Sequence, residues 1–415
     1  MALPPFAGVE TVPASEPRTA VARDALRALE AWAWERDWRG SDPYDALNGS
    51  RAKLVGRTPF SRRVVIQLAR RSPVSLDRLL GVPRGENANT IAHALQAYAR
   101  IEDGLGIDCR ARAEWAIERL DRLRCGGFSE PCWSYHFDVE TRFFFYSAQT
   151  PNTIATSFAA QALLDAADRF GIDRARELGA GAGEFLLRRI ERTPDPDGGA
   201  GAYLGYFPGD RTPIHNASLL GASVLARLAA GGDPGPGLGE AADVAAAAVR
   251  YALDHQRPDG SWPYADDAAG KGGWIDNLHT GYVLDALLRC ATALDDLEAL
   301  EAWERGLGYY RARLFDPDGA ARNTDRSRYP LDGQYLAQAL ETLSASSDRH
   351  PELLADARRV LDFGLANLRR PDGAFVYQRH ARYTIGAPHM RWVEAPMLAA
   401  LASYVAAERR AEVAA

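Results

Sequence analysis

A turn signature that returns along the chain restricts its fold more than any other feature. Its core is Pro-Asp-Gly plus an aromatic: Pro196-Asp197-Gly198 with Tyr203, Pro258-Asp259-Gly260 with Trp262 and Tyr264, Pro317-Asp318-Gly319, and Pro371-Asp372-Gly373 with Phe375 and Tyr377. Gly126-Gly127-Phe128, followed by Trp133 and Tyr135, is a degenerate copy. The marker glycines 127, 198, 260, 319 and 373 are spaced by 71, 62, 59 and 54 residues, the length of a helical hairpin with its loops. Proline fixes φ at the turn's second residue, aspartate bonds nearby backbone, and glycine supplies a position with φ > 0, so each copy ends a helix.

Around these turns two kinds of amphipathic stretch alternate. One kind is charged along one face, as a solvent-facing helix should be, and is predicted at about 18–38, 108–124, 175–192, 240–257, 297–314 and 350–368. The other, at about 88–103, 152–170, 214–230, 277–293, 332–346 and 391–408, is rich in Ala, Leu and Val with few charges, as helices buried on most sides are. Six of each predicts an all-α (α/α)6 toroid, a six-hairpin barrel. A ring buries every hairpin against two neighbours, whereas an open stack would need capping repeats, and none is visible. Residues 1–17 read as an N-terminal extension and 18–410 as one domain.

Composition narrows the function classes. With 47% hydrophobic and 25% charged residues the chain can bury a large core, and its net charge of −6 without a basic run speaks against nucleic-acid binding and against a membrane surface. No stretch of 18 uncharged apolar residues exists, so membrane insertion is not expected. Cys109, Cys125, Cys132 and Cys290 form no CxxC pair and read as thiols; with no signal-peptide pattern at the start, a cytoplasmic protein is expected.

In a toroid all inner helices run parallel, so their N-terminal ends share one mouth. The residues there are polar: Asn87, Asn89 and Thr90; Asn152 and Thr153; His215 and Asn216; Asp276, Asn277, His279 and Thr280; Asp332 and Gln334; and His389, Arg391, Trp392 and Glu394. N-capping is the simplest account of Asn87, Asn152 and Asn216, but it does not ask for His279, His389, Arg391, Trp392 or Glu394. Asp276, His279 and Tyr282 stand three apart on one helix face. A carboxylate beside an imidazole fixes its tautomer and raises its basicity, which suits proton transfer near neutral pH, although a hydrogen-bonded core histidine fits the same spacing.

Two aromatic loops belong to the same rim. Trp133, Tyr135 and Asp138, then Arg142 and the run Phe143-Phe144-Phe145-Tyr146, precede the second inner helix; the earlier segment Trp38–Gly49 holds Asp42, Tyr44, Asp45 and Asn48. With Trp262, Trp274 and Tyr377 from the turns, flat rings beside hydrogen-bonding groups suit sugar faces, isoprenoids or nucleobases, or simply a lid. Six helix N-termini favour an anionic group, assisted by Arg142, Arg379 or Arg391, while Asp138, Asp276, Asp332 and Glu394 oppose it. Asp45, Asp138, Asp276, Asp332 and Glu394 also offer carboxylate pairs for glycoside hydrolysis. His215, His279 and His389 lack zinc-ligand spacing, and no metal or other cofactor is expected.

The stretch Gln256-Arg-Pro-Asp-Gly-Ser-Trp262 resembles the repeat turns of squalene cyclases and protein prenyltransferases, which are α/α toroids; the Asp-x-Asp-Asp motif of the cyclases does not occur. More widely, Asp42-Pro-Tyr-Asp-Ala-Leu-Asn48, Trp274-Ile-Asp-Asn-Leu-His-Thr-Gly281 and Met390-Arg-Trp392 resemble a largely uncharacterised bacterial toroid family found with surface-polysaccharide biosynthesis genes. That resemblance spans nearly the whole chain and implies a carbohydrate context, but no catalytic residues.

The expected function is therefore acid/base chemistry on an acidic or nucleotide-linked sugar, of epimerase, lyase or hydrolase type, acting on a small molecule or an oligosaccharide. His279 with Asp276 would carry it, with Tyr282 or Tyr335 as partner acid and Arg391 as anion clamp. An isoprenoid cyclase or transferase, and a non-catalytic glycan- or lipid-carrier-binding protein, are the competing readings.

Overall fold

The computed structural model describes residues 17–56, 58–231, 237–266 and 269–414; all but the last residue of the expected 1–17 extension lie outside them. After helix α1 (Pro17–Trp34) come three short helices, α2 (Ala52–Val55), α3 (Pro59–Arg71) and α4 (Asp77–Leu80). Five inner–outer pairs follow: α5 (Ala88–Leu105) with α6 (Arg110–Arg122), α7 (Thr153–Phe170) with α8 (Asp173–Arg189), α9 (His215–Ala230) with α10 (Ala241–Asp254), α11 (Asn277–Leu294) with α12 (Leu297–Arg313), and α13 (Gly333–Ser346) with α14 (Leu353–Asn367). The chain ends in α15 (Ala395–Ala414), which a π turn, Met390–Glu394, introduces.

The alternation read from the sequence is the alternation observed. The inner helices α5, α7, α9, α11, α13 and α15 each pack on the next, and α15 packs on α5, so the ring is closed. The outer helix that completes α15 is α1, from the other end of the chain. The six-hairpin ring thus joins the two ends of the described chain. Each tight connection runs from an inner helix to the following outer one, and Gly106, Gly171 and Asp295 end α5, α7 and α11 in the left-handed conformation. The long connections run from outer to inner helices and carry the repeated turn. All five marker glycines have φ between 84° and 90°, which a β-carbon would penalise.

Side-chain pairs march in one direction across three seams, and this makes the inner helices parallel. Gln161 meets Ser223, and four residues on Asp165 meets Arg227. Tyr282 meets Gln334, and Asp285 meets Gln338. Arg100 reaches the carbonyl of Ala399, and the Cα of Gly104 faces the backbone of Ala406 so closely that an added Cβ would lie 2.9 Å from Ala406 Cα. Alanine and glycine on these faces are what allow helices to approach so closely. Near-complete burial of α15 from Ala395 to Glu408 explains why it carries so few charges.

Small two- and three-stranded sheets, unannounced by any alternating pattern, lie in the outer-to-inner loops, Val139–Glu140 with Phe145–Tyr146 among them. They are short enough to leave the all-α class unchanged. No helix among the described residues is long and apolar enough to cross a membrane. The four cysteines are buried thiols.

Candidate functional site

The inner-helix starts do share one end, and the capping reading holds for most of them. Asn87 Oδ1 accepts from Asn89 N, Asn152 Oδ1 from Ala155 N, Asp276 Oδ1 from His279 N and Asp332 Oδ1 from Gln334 N, at 2.8–2.9 Å. Asn216 does not cap. It is the second residue of α9, whose flanking residue is Ile214, and its Oδ1 is buried without a protein partner. Asn89 Oδ1, Asn152 Nδ2 and Gln334 Oε1 are likewise buried and unpaired, so four amide groups near the mouth hold spare hydrogen-bonding capacity.

The candidate centre is the pair on α11. Asp276 uses its second oxygen to accept both His279 Nδ1–H, at 2.7 Å, and Trp274 Nε1–H, at 2.8 Å. Burial disfavours the Asp276 anion, but the charge and hydrogen bonds of His279, with Trp274, hold its carboxyl below the usual range. The Nδ1 contact fixes the tautomer and leaves Nε2 as the basic atom of a half-buried ring. Tyr264 meets His279 edge-on at 4.6 Å and stacks on Trp274 at 4.5 Å; Phe143 lies against both, and Arg142 sits 5.3 Å over Trp274. His279, Asp276, His215, Asn216, Trp262 and Tyr264 line a tight crevice of about 10 Å³.

Two tyrosines flank this pair. The Tyr282 hydroxyl accepts from Gln334 Nε2 at 2.9 Å. Burial raises both Tyr282 and Tyr335, and the charges of Asp276 and Asp332 push Tyr335 further, so each stays a proton donor. Asp332 accepts from Trp392 Nε1 at 3.1 Å and from Gln378 Nε2 at 2.7 Å, and burial pushes its carboxyl up to about 6.

The opposite wall comes from the two ends of the chain. Arg391 is ion-paired to Asp42 with both side chains buried, and its guanidinium lies 5.0–5.5 Å from the rings of Tyr135, Phe137 and Trp392. Burial opposes the charge on Arg391, yet Asp42 holds its pKa above the ordinary value. Tyr44 packs on Trp392 at 5.0 Å, and Arg70 lies over Tyr44 at 4.3 Å while donating to Tyr377 Oη at 3.3 Å. His389 meets Tyr377 edge-on and contacts Ser41. Tyr282 faces both sides: its ring is 6.4 Å from that of His279, and Arg391 is among the charges acting on its hydroxyl. His279 and Arg391 both stand at inner-helix starts, at the same end of the ring.

Several predicted site residues do other work. The Asp42 partner neutralises Arg391, which leaves it no free charge to clamp an anion. Asp45 accepts the backbone N–H of Asp42, Asn48 donates to the carbonyl of His136, and Asp138 accepts from Ala148 N, so these three fold the rim loops. Trp133 and Trp262 are core residues whose indole N–H groups bond the carbonyls of Leu120 and Ala252. Asn277 is saturated by Leu314 and Tyr310 of the outer layer, and Glu394 accepts from Phe375 N, away from the mouth. His215 faces sideways, 2.6 Å from Asp266, so the three histidines do not converge. Arg379 bonds Asn367 of α14.

The sequence singles out neither Arg70 nor Tyr206, whose hydroxyl lies 3.5 Å from that of Tyr135; it places Phe143 in the rim's aromatic run and Tyr264 in a turn without giving either a role, and along the barrel's axis it picks out Tyr282 alone. A narrow cavity of about 30 Å³ there is lined from all six inner helices, by His93, Gln96, Arg100, Phe158, Tyr282, Asp285 and Glu341 among others. Arg100 forms a two-point ion pair with Glu341, and burial raises Asp285 to about 6. The available signal was charge on otherwise apolar helices one to three turns below their starts.

No protein-family model matches the chain, and no curated protein sequence does. Solved structures do. An α-mannanase of glycoside hydrolase family 76 from Bacteroides thetaiotaomicron superposes with a TM-score of 0.58 at 15% identity over 79% of this chain and 87% of that one. Unsaturated glucuronyl hydrolase from Bacillus sp. GL1 gives 0.58 at 14% identity over 92% and 95%. Cellobiose 2-epimerase from Spirochaeta thermophila gives 0.56 at 16% identity over 80% and 87%. These likenesses establish the (α/α)6 toroid.

Proposed function

We propose that this chain is a carbohydrate-processing enzyme that moves a proton at a sugar carbon, as an epimerase or lyase does, with His279 as the base. The observation that carries this reading is the Asp276–His279 dyad: a partly exposed imidazole at the toroid mouth, its Nδ1–H committed to a buried carboxylate and its Nε2 free. Nε2 takes the proton beside a carbonyl or carboxyl group, and Asp276 stabilises the imidazolium that forms. Tyr335 or Tyr282, kept protonated by burial, delivers a proton from another direction. Trp274 and Tyr264 offer stacked faces for the sugar ring.

An acidic or nucleotide-linked sugar suits the converging helix N-termini, and Arg142 takes over the anion-recognising role first given to Arg391. Arg142 is exposed over Trp274 with no carboxylate partner among the described residues. The α-mannanase, glucuronyl hydrolase and cellobiose epimerase that share the fold support carbohydrate chemistry by analogy. Asp276 and Asp332 are both spent on caps and indole or amide bonds, which favours a histidine base over a two-carboxylate hydrolase. A mouth of tyrosines, amides and ion pairs also disfavours an isoprenoid.

The test is incubation in D2O with a panel of reducing disaccharides, uronic-acid oligosaccharides and nucleotide sugars, read by NMR. Deuterium uptake or a new isomer that is lost in His279→Gln, with the fold retained, is the expected result. Turnover that survives His279→Gln would remove the base. Saturable binding of a sugar without exchange, isomerisation or cleavage would instead identify a non-catalytic glycan binder.

A further inference from the structure

The net charge of −6 conceals a segregation that matters once the fold is known. Residues 51–84, inserted between α1 and α5, carry nine Lys or Arg and a single acid, Asp77. The same segment exposes Leu54, Phe60, Val64, Leu68, Val74 and Leu79, which is half of the twelve large apolar side chains that the described residues leave exposed. Phe60, Val64 and Leu68 stand at i, i+4 and i+8 of α3 and form one stripe, with Phe60 78% and Leu68 63% exposed. Arg71 faces the same solvent and Arg78 follows on α4, while Arg63, also exposed, pairs with Glu140 at 3.2 Å.

The helix cannot roll to hide this stripe. Its other face buries Ile66, pairs Arg62 with Glu140 at 2.8 Å and sends Arg70 to Tyr377 and Tyr44. A capping box made by Thr58 and Ser61 fixes its start. At 13 residues α3 is too short to span a bilayer, but it has the form of a helix that lies on one.

We propose that α2–α4 form a docking surface for a lipid bilayer with anionic headgroups, independently of the reaction in the barrel. The apolar stripe enters the acyl boundary while the arginines meet the headgroups. Charge complementarity selects this occupant: the segment is strongly positive, and the acidic remainder of the chain is repelled by the same surface, which orients the molecule. An acidic polysaccharide would satisfy the arginines but gain nothing from Phe60, Val64 and Leu68. Because Arg70 reaches from α3 to the rim residues Tyr44 and Tyr377, docking sets the toroid mouth beside the membrane.

The experiment is co-sedimentation of the full-length protein with vesicles of phosphatidylcholine alone or mixed with phosphatidylglycerol, over a range of salt. Binding is expected only to the anionic vesicles and should weaken with salt. Each cation near such a surface is worth about fivefold in partitioning, so Arg71→Glu with Arg78→Glu lowers it by at least about 25-fold. Phe60→Ser with Leu68→Ser lowers it at least about tenfold with circular dichroism and melting unchanged; Val74→Ser with Leu79→Ser is the second apolar variant. Absence of binding to anionic vesicles, equal binding to neutral ones, or undiminished binding by both apolar variants would overturn the proposal. So would a wild-type dimer that ignores vesicles and becomes monomeric in Phe60→Ser/Leu68→Ser, since the stripe would then belong to a second copy.

Discussion

Replacing Asp276 with asparagine separates its three duties. Oδ1 caps α11 through His279 N, and an amide oxygen does that equally well, so the helix keeps its first turn. The other position changes sign. Where Oδ2 accepts from Trp274 Nε1 at 2.8 Å and His279 Nδ1 at 2.7 Å, the variant presents an NH2 group to two N–H donors. His279 can escape by moving its proton to Nε2 and accepting at Nδ1, but Trp274 loses its acceptor at a cost of about 1–3 kcal/mol. With Nε2 protonated the proposed base is gone, and the rate should fall about 10²–10⁴-fold, the usual range for general acid–base catalysis. Urea denaturation, solvent-deuterium exchange and ¹⁵N shifts of the imidazole measure the three consequences separately. An unchanged tautomer, or full exchange activity with the proton on Nε2, would refute the reasoning.

Three further outcomes follow from the same geometry. Asp332 has its carboxyl raised to about 6 by burial, so the stability it contributes is complete below pH about 4 and is lost as pH rises through about 6; Asp332→Asn, with Gln378 turning its amide to match, should recover roughly 2–3 kcal/mol at neutral pH and flatten the urea midpoint between pH 4 and 6. Arg391→Ala strands the buried Asp42 carboxylate and should destabilise by about 3–5 kcal/mol in the same assay, while Arg391→Met combined with Asp42→Asn recovers most of the loss. Gly104→Ala pushes a methyl against the Ala406 backbone at the seam where α15 meets α5, and should cost about 1–3 kcal/mol, visible as a lower melting temperature.

The predicted and observed inner helices agree within a few residues at most ends, because their signals are local. Turn chemistry acts over four residues, and Gly127, Gly198, Gly260, Gly319 and Gly373 need their positive φ whatever surrounds them. The Asp276–His279 pair was legible for the same reason, since three residues on a helix guarantee proximity. Direction around a helix is less local. Asn277 and Glu394 sit at helix starts as the site residues do, yet both turn toward the outer layer, and nothing in their immediate neighbours distinguishes them from Asp276.

What the sequence alone determined is the period, the two kinds of helix and the polar character of one end of the barrel. Only the closed ring decided which of those polar groups meet. Asp42 and Arg391 are 349 residues apart and pair because α15 closes against α5 and α1, and that pairing turns an expected anion clamp into a buried neutral wall. The exposed stripe on α3 is of the same kind: its spacing is ordinary core spacing, and its exposure follows from Ile66 and Arg70 having already claimed the other face. Periodicity tells a helix that it has an apolar side, but which side finds a neighbour is settled by the packing of everything else.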